Sequence, residues 1–516
     1  MSLKRNVVAN AASQGILAIL GFVAVPVYLR YLGVEAYGLV GFAGVVVVLH
    51  VLFDLGLTAA FSRELSQVGA GTTGLATLRA LMQVLERLFL AAGVALALAI
   101  VALADPIARL WLDVGALSLA DVSACVVLMG LSLPARWLSN LYRATVTGLE
   151  RLDLASTWNV VLGAVRIGGG VLVLTLIDPR PTTFFAWHLF ASLLEATVFM
   201  VVARRLLVVP LSAVANPVAA TLRRLAPFAM HMAFATGVWL AVTNADRLLL
   251  SKVLPLSEYG LFTIAATVAG FVTLLTAPLA MAAQPRLARL IGEGADATAI
   301  ALYRKTTQFA CVLAAPTSMM LAAGAEPLLR AWTGDATAAA AAAPTLVPYA
   351  LGNGVLAIAG LPYQLQYARG QLRLHNVSNV LLLVLLVPAL LLGALRYGGP
   401  GAGVAWLVLQ LAYLLFWTPI VHRRFAPGVH ARWLAFDLAP ILLLAAVGTW
   451  LSLRLLSTVG LPAGRPALLF ALACAGVLPL AAAVVASSAC REAASLWFAR
   501  WRHQARNDAT QGPGAP

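Results

Sequence analysis

Few side chains in this chain could do chemistry, and most of them stand inside long apolar runs or at their ends. His50, Asp54 and Thr58 recur at spacing four, which on a helix places them on one face as a polar stripe. A carboxylate there can bind a cation or a proton, with His50 as its relay and Asp246 as a second candidate coupling site; the plainer alternative is a local packing contact. Arg166 and Glu195 fall near the middle of consecutive apolar runs joined by a short loop, so they occur at matching depth. Opposite charges at one depth neutralise each other's cost of leaving water, which favours a structural ion pair over a substrate role. Arg30, Arg63, Arg143, Arg247 and Arg286 lie near the ends of apolar runs, where a long cationic side chain ordinarily snorkels to the interface. The cysteines Cys125, Cys311, Cys474 and Cys490 lack metal-ligand spacing, and neither a Walker motif nor a nucleophile constellation occurs. The expectation is therefore no metal, no cofactor and no catalytic residue.

The elements that carry these residues are set by composition. Of 516 residues 61% are hydrophobic and 11% charged, with a mean hydropathy of +0.91, too few polar side chains to cover a water-soluble globule. The apolar runs last about 20 residues, the length of a membrane-crossing helix, rather than the ten or so of a barrel strand. The fold class is an all-α membrane protein. Windows between charges predict about fourteen spans, near 11–29, 39–61, 88–104, 116–135, 154–177, 184–203, 228–250, 259–282, 306–325, 344–363, 376–395, 401–421, 433–453 and 466–489. Pro26, Pro278 and Pro316 interrupt predicted helices and are candidate bend points.

The net charge of +15 in a soluble protein would suggest nucleic acid. In a multi-span protein it follows from Lys and Arg accumulating in cytoplasmic loops, with anionic phospholipid as the counter-charge and no nucleic-acid partner. Most of the 35 basic residues fall on the side of the two termini, which places both termini in the cytoplasm. The start carries Lys4 and Arg5 without a cleavage site and reads as an uncleaved first span.

An internal repeat divides the chain. Asp105-Pro106-x-x-Arg109-x-Trp111 recurs as Glu326-Pro327-x-x-Arg330-x-Trp332. Glu35-Ala36-Tyr37-Gly38-Leu39 is echoed by Glu258-Tyr259-Gly260-Leu261, and Gly148-x-x-Arg151-Leu152 by Gly370-x-x-Arg373-Leu374. The shared offset is about 222 residues. Six spans per offset make the two halves parallel repeats, which suits a transporter whose halves rock about a central site. The expected organisation is a six-helix bundle at 1–206, a cytoplasmic linker at 207–226 and a second six-helix bundle at 227–425. An extra helix pair at 426–490 follows, then an interfacial helix and disordered tail at 491–516.

Pro26-x-x-x-Arg30-x-Leu32-Gly33-x-x-x-Tyr37-Gly38, then Phe53-Asp54-Leu55-Gly56-Leu57 with Arg63-Glu64-Leu65, carry a family resemblance. So do Asp246-Arg247, Ser257-Glu258-Tyr259-Gly260-Leu261-Phe262, Pro278 and Pro285-Arg286 in the second half. Together they resemble bacterial polysaccharide-biosynthesis flippases, the lipid-linked oligosaccharide or O-antigen translocases of the multidrug/oligosaccharidyl-lipid/polysaccharide exporter superfamily. The resemblance implies a transporter, not an enzyme, in the bacterial inner membrane. Its cargo would be an undecaprenyl-diphosphate-linked oligosaccharide carried from the cytoplasmic to the periplasmic leaflet for O-antigen, capsule or exopolysaccharide assembly. Proton or sodium coupling would fall to Asp54, His50 and Asp246, and diphosphate binding to Arg30, Arg247, Arg63, Arg143 and Arg286, whose planar forks suit phosphate oxygens. Arg30 and Arg247 stand out because they sit on the periplasmic side, against the general charge bias. A cation-coupled multidrug exporter is the alternative within the superfamily, and a membrane-embedded polysaccharide polymerase or ligase the alternative of another class; the scarcity of buried acids and of long loops argues against both.

Overall fold

A computed structural model describes residues 3–67, 72–207, 218–462 and 464–497. Within these, the secondary structure is helical apart from turns and one isolated bridge between Asp113 and Pro255. Twelve helices among the described residues are long and apolar enough to cross a membrane. Two of them exceed one bilayer crossing: Ser13–Leu52 has 40 residues and Arg373–Phe425 has 53. Each carries a glycine with non-helical backbone, Gly33 at φ 81° and Gly398 at φ 62°, and the count of fourteen treats each as two spans.

The chain forms two compact units, Met1–Thr263 with Leu383–Gly399, and Ile264–Leu382 with Pro400–Pro516. The first contains helices α1 (Leu3–Leu52), α2 (Leu57–Gln67), α3 (Thr72–Ala102), α4 (Leu119–Gly148), α5 (Leu152–Leu176), α6 (Pro181–Leu206) and α7 (Val218–Val253). The first turns of α8 (Leu256–Gly292) also belong to it. Helix α4 is central, packing on α3 and α6, while α1 lies along α5 and α7. The core follows from the large apolar side chains these faces share: Phe61, Phe89, Trp137, Tyr142 and Phe199 are buried together, with Phe89 stacked on Trp137 at 6.0 Å. Half of the linker expected at 207–226, residues 208–217, lies outside the described residues, and α7 already begins at Val218.

The two copies of the Tyr-Gly-Leu motif meet inside this unit. A Cβ on Gly38 would stand 2.5 Å from the Leu256 carbonyl oxygen, and one on Gly260 only 2.1 Å from that of Val34. The glycines thus let the α1 and α8 backbones touch. Glu35, beside them, accepts hydrogen bonds from the backbone N–H groups of Gly115 (2.6 Å) and Ala116 (2.8 Å), fixing the loop that follows Trp111. The Asp105 and Glu326 copies both fall on short helical turns between long helices, the second on α10.

The second unit holds the rest of α8, then α9 (Asp296–Ala323), α10 (Ala325–Thr333), α11 (Ala336–Ala359), α12 (Pro362–Ala368) and α13 (Arg373–Ala412), whose residues 383–399 group with the first unit. Helices α14 (Thr418–Phe425), α15 (Ala439–Val459) and α16 (Arg465–Ala486) complete it. Helices α15 and α16 pack on α9 and are tied to it by a buried polar knot. Arg304 donates to both Asp437 oxygens at 2.6 and 3.0 Å, and Gln308 donates to Asp437 at 2.7 Å. The Gln308 amide oxygen accepts from Ser487, Ser488 and the Ala489 N–H. A helix over 488–497 follows, with Glu492 paired to Lys305 at 2.7 Å; the rest of the expected interfacial helix and tail, 498–516, lies outside the described residues.

Candidate functional site

The polar stripe of the first unit is not a continuous helical face. The helix stops at Leu52 and restarts at Leu57, with Leu55 and Gly56 both at positive φ, 50° and 69°. A Cβ on Gly56 would come within 2.3 Å of the Ala229 carbonyl oxygen, so the close passage of α7 imposes the break and only glycine fits there. This corrects the expectation of one unbroken helix through His50, Asp54 and Thr58. Asp54 instead caps the restart: its carboxylate accepts from the Thr58 N–H at 3.2 Å and from the Thr58 hydroxyl. The Phe53-Asp54-Leu55-Gly56-Leu57 motif is therefore a turn followed by a capped helix start.

His50 faces a different set of partners. Its Nδ1 contacts the Val47 carbonyl, and its Nε2 lies 3.3 Å from the Asn140 amide nitrogen. Asn140 accepts from Arg143 through its oxygen, and Arg143 also reaches Asn159 at 3.5 Å. Beyond it stands Glu195, 3.8 Å from Arg143 and 2.5 Å from Arg166. One carboxylate from α6 thus serves two guanidinium groups from α4 and α5. Ser192 lies 3.4 Å from Arg166, and the Arg166 carbonyl accepts from the Trp187 indole at 3.0 Å, which holds the helix pair in register.

Several of these groups line one cavity of about 730 Å³, whose lining residues all belong to the first unit. Asp54, Asn140, Arg143, Asn159, Arg166 and Glu195 contribute its polar wall, and α7 closes it with Met232, Ala233 and Thr236. Two cations and many hydrogen-bond donors converge there on space for a polar ligand. The paired Arg166 and Glu195 belong to this wall, so they are not sequestered from the space around them.

The remaining sequence candidates lie elsewhere. Arg30 is exposed, 5.9 Å from the ring centre of Tyr31. Arg247 is half-buried on α7, 3.8 Å from the point where Gly44 would carry a Cβ. Asp246 accepts from the Arg247 N–H at 2.8 Å. The Arg63 guanidinium covers the Phe228 ring at 4.4 Å, a cation–π contact between α2 and α7. Arg286 is exposed on α8, in the second unit. None of these five lines the 730 Å³ cavity.

A model of the family described as polysaccharide biosynthesis protein matches residues 3–291, more than half of the chain. The chain belongs to that family. Solved structures extend the likeness to the whole fold. A lipid II flippase MurJ in an inward closed conformation aligns with a TM-score of 0.70 at 12% identity, covering 92% of this chain and 98% of that one. An inward-facing multidrug resistance MATE family transporter of the MOP superfamily aligns with a TM-score of 0.63 at 14% identity, covering 79% of this chain and 96% of that one. The MATE multidrug transporter DinF-BH aligns with a TM-score of 0.56 at 14% identity, with coverages of 83% and 96%. No curated protein sequence was matched. This member of the polysaccharide biosynthesis protein family is thus a multi-pass membrane protein that shares its fold with these solved structures.

Sequence reasoning misses Arg136, Asn140 and Asn159. The predicted span ends at 135, whereas α4 continues to Gly148 and carries Arg136, Asn140 and Arg143 inside the helix. Spacings of four and three put those residues along one face, which is the available signal.

Proposed function

We propose that this protein is a flippase that carries an undecaprenyl-diphosphate-linked oligosaccharide from the cytoplasmic to the periplasmic leaflet for surface polysaccharide assembly. The observation that carries this reading is the polar cavity of the first unit, in which Arg143 and Arg166 converge on the single carboxylate Glu195. An anionic, hydrogen-bond-rich cargo fits such a wall: guanidinium forks bind phosphate oxygens, and amides such as Asn140 and Asn159 bind sugar hydroxyls. Membership of the polysaccharide biosynthesis protein family supports the cargo class, and the lipid II flippase fold supports the mode of action. Arg30, Arg247, Arg63 and Arg286 would act where the diphosphate enters or leaves, away from that wall. Movement would proceed by alternating access between the repeats, in a bacterial inner membrane and with both termini cytoplasmic.

The test is transfer of a fluorescent lipid-linked oligosaccharide in proteoliposomes, measured by its accessibility to a membrane-impermeant quencher. Transfer by the parent and a loss of tenfold or more in Arg143→Gln supports the reading. Equal transfer by protein-free liposomes, or by Arg143→Gln, overturns it.

A second reading, a cation-coupled exporter, is favoured by Asp54 in the same cavity and by the MATE likeness in fold. It predicts that Asp54→Asn loses drug efflux driven by an ion gradient while lipid-linked cargo stays where it is.

A further inference from the structure

The first unit contains a second, smaller cavity whose chemistry differs from that of the large one. It measures about 210 Å³ and is bounded by α1, α4, α5 and α6. Its polar wall consists of Ser132, Arg136, Arg166 and His188, and it contains neither Asp nor Glu. Arg136 makes no ion pair among the described residues; its Nε reaches only the Ser132 hydroxyl, at 3.3 Å. That hydroxyl is already committed, donating to the Met129 carbonyl at 2.7 Å. The His188 Nε2 is buried and has no hydrogen-bond partner among the described residues. Glu195, the acid paired with Arg166, is shared with Arg143 and lies outside this wall.

We propose that this cavity binds a small monovalent inorganic anion of the halide class between Arg136 and Arg166, with the His188 N–H as a further donor. Arg136, half-buried and without an ion pair among the described residues, shares this space with Arg166, whose acid Glu195 stands outside the wall, and a charge held out of water without a partner is costly. A cation is disfavoured by the two guanidinium charges in the wall. A multivalent phosphate is disfavoured by the rest of the wall, which is apolar: Val46, Val47, Phe184, Phe185 and Leu189 would replace its hydration shell with hydrocarbon. A weakly hydrated halide loses little there, and the positive edges of aromatic rings suit it. Phe184 and Phe185 line the cavity, and Phe184 packs on the His188 ring with centroids 4.3 Å apart. Arg166 lines both cavities, which makes occupancy of the small one a means of setting how strongly Arg166 is held away from the large one.

The experiment uses the purified full chain in detergent and reads binding, so it is independent of whether the protein flips lipid. The unfolding temperature is followed against bromide, chloride, phosphate and gluconate at constant ionic strength. The expected result is a saturating rise with bromide and chloride alone, since a ligand that binds only the folded state stabilises it by mass action. Arg136→Gln should abolish the rise, while Arg109→Gln, an exposed arginine outside this cavity, should retain it. If Arg136→Gln does not fold, His188→Phe replaces it, and bromide-soaked crystals of the parent should show an anomalous peak between Arg136 and Arg166. An equal rise with gluconate, a response to phosphate rather than halide, an unchanged response in the variant that folds, or no anomalous peak overturns the proposal.

Discussion

Replacing Glu195 by Gln tests whether one carboxylate neutralises the arginine cluster of the first unit. The Glu195 and Arg166 side chains are 16% and 21% exposed, and their atoms approach to 2.5 Å. Unit charges about 4 Å apart at an effective dielectric near 20 attract by roughly 4 kcal/mol, and this pair is closer than that. Much of the attraction offsets desolvation, so the relevant figure is the cost of removing one partner from a buried pair, about 3 to 5 kcal/mol. Arg143, 3.8 Å away and 36% exposed on the cavity, is better screened and adds less. Glu195→Gln should therefore lose about 3 kcal/mol, the lower end, because the cluster borders an open cavity. Adding Arg166→Gln removes one of the orphaned charges, so the double variant should recover at least about 1 kcal/mol relative to additivity. Reversible denaturation in mixed micelles would measure both quantities, with the amount of protein in the membrane as an independent check. A single variant within about 0.5 kcal/mol of the parent, or strict additivity in the double variant, would refute the argument that the carboxylate and the guanidinium depend on each other.

The close crossing of α1 and α8 predicts that Gly260→Ala destabilises by about 1 to 3 kcal/mol, since its Cβ would overlap the Val34 carbonyl at 2.1 Å; unchanged thermal stability would mean the helices separate freely at that point. Asp54→Asn keeps the size of the side chain that caps α2 but removes its charge, so stability should fall by only about 1 kcal/mol. If Asp54 also couples transport, the response to an imposed proton or sodium gradient should vanish in the same variant, and a full response in vesicles would drop that role. For Arg30 and Arg247, a substrate role predicts that Lys weakens and Gln nearly abolishes restoration of surface polysaccharide in a deletion strain. Normal restoration by both Gln variants would leave them as interfacial anchors.

The membrane class and the helical spans are legible in the sequence because a bilayer admits little else: apolar runs of a fixed length leave helices as the simplest way to satisfy the backbone. The paired Tyr37-Gly38-Leu39 and Tyr259-Gly260-Leu261 motifs are legible too, and they fall where two backbones touch. What escapes is decided by tertiary contact. The turn at Gly56 exists because α7 passes against it, and no periodicity in residues 50–58 records that neighbour. Arg136 and Arg143 look like the end of a span because charge is normally a boundary signal in lipid. Here Glu195 and a polar cavity let α4 carry charge well inside the bundle, and the same rule that ends the predicted span at 135 conceals the residues that build the site. The correction has a consequence for function. Arginines at helix ends meet water whether or not cargo is present, whereas Arg143 and Arg166 are held by one acid on the wall of a cavity, where an arriving diphosphate would compete with Glu195 for the same donors. A flippase needs that kind of balance, because cargo bound too firmly on one side of the membrane is not released on the other.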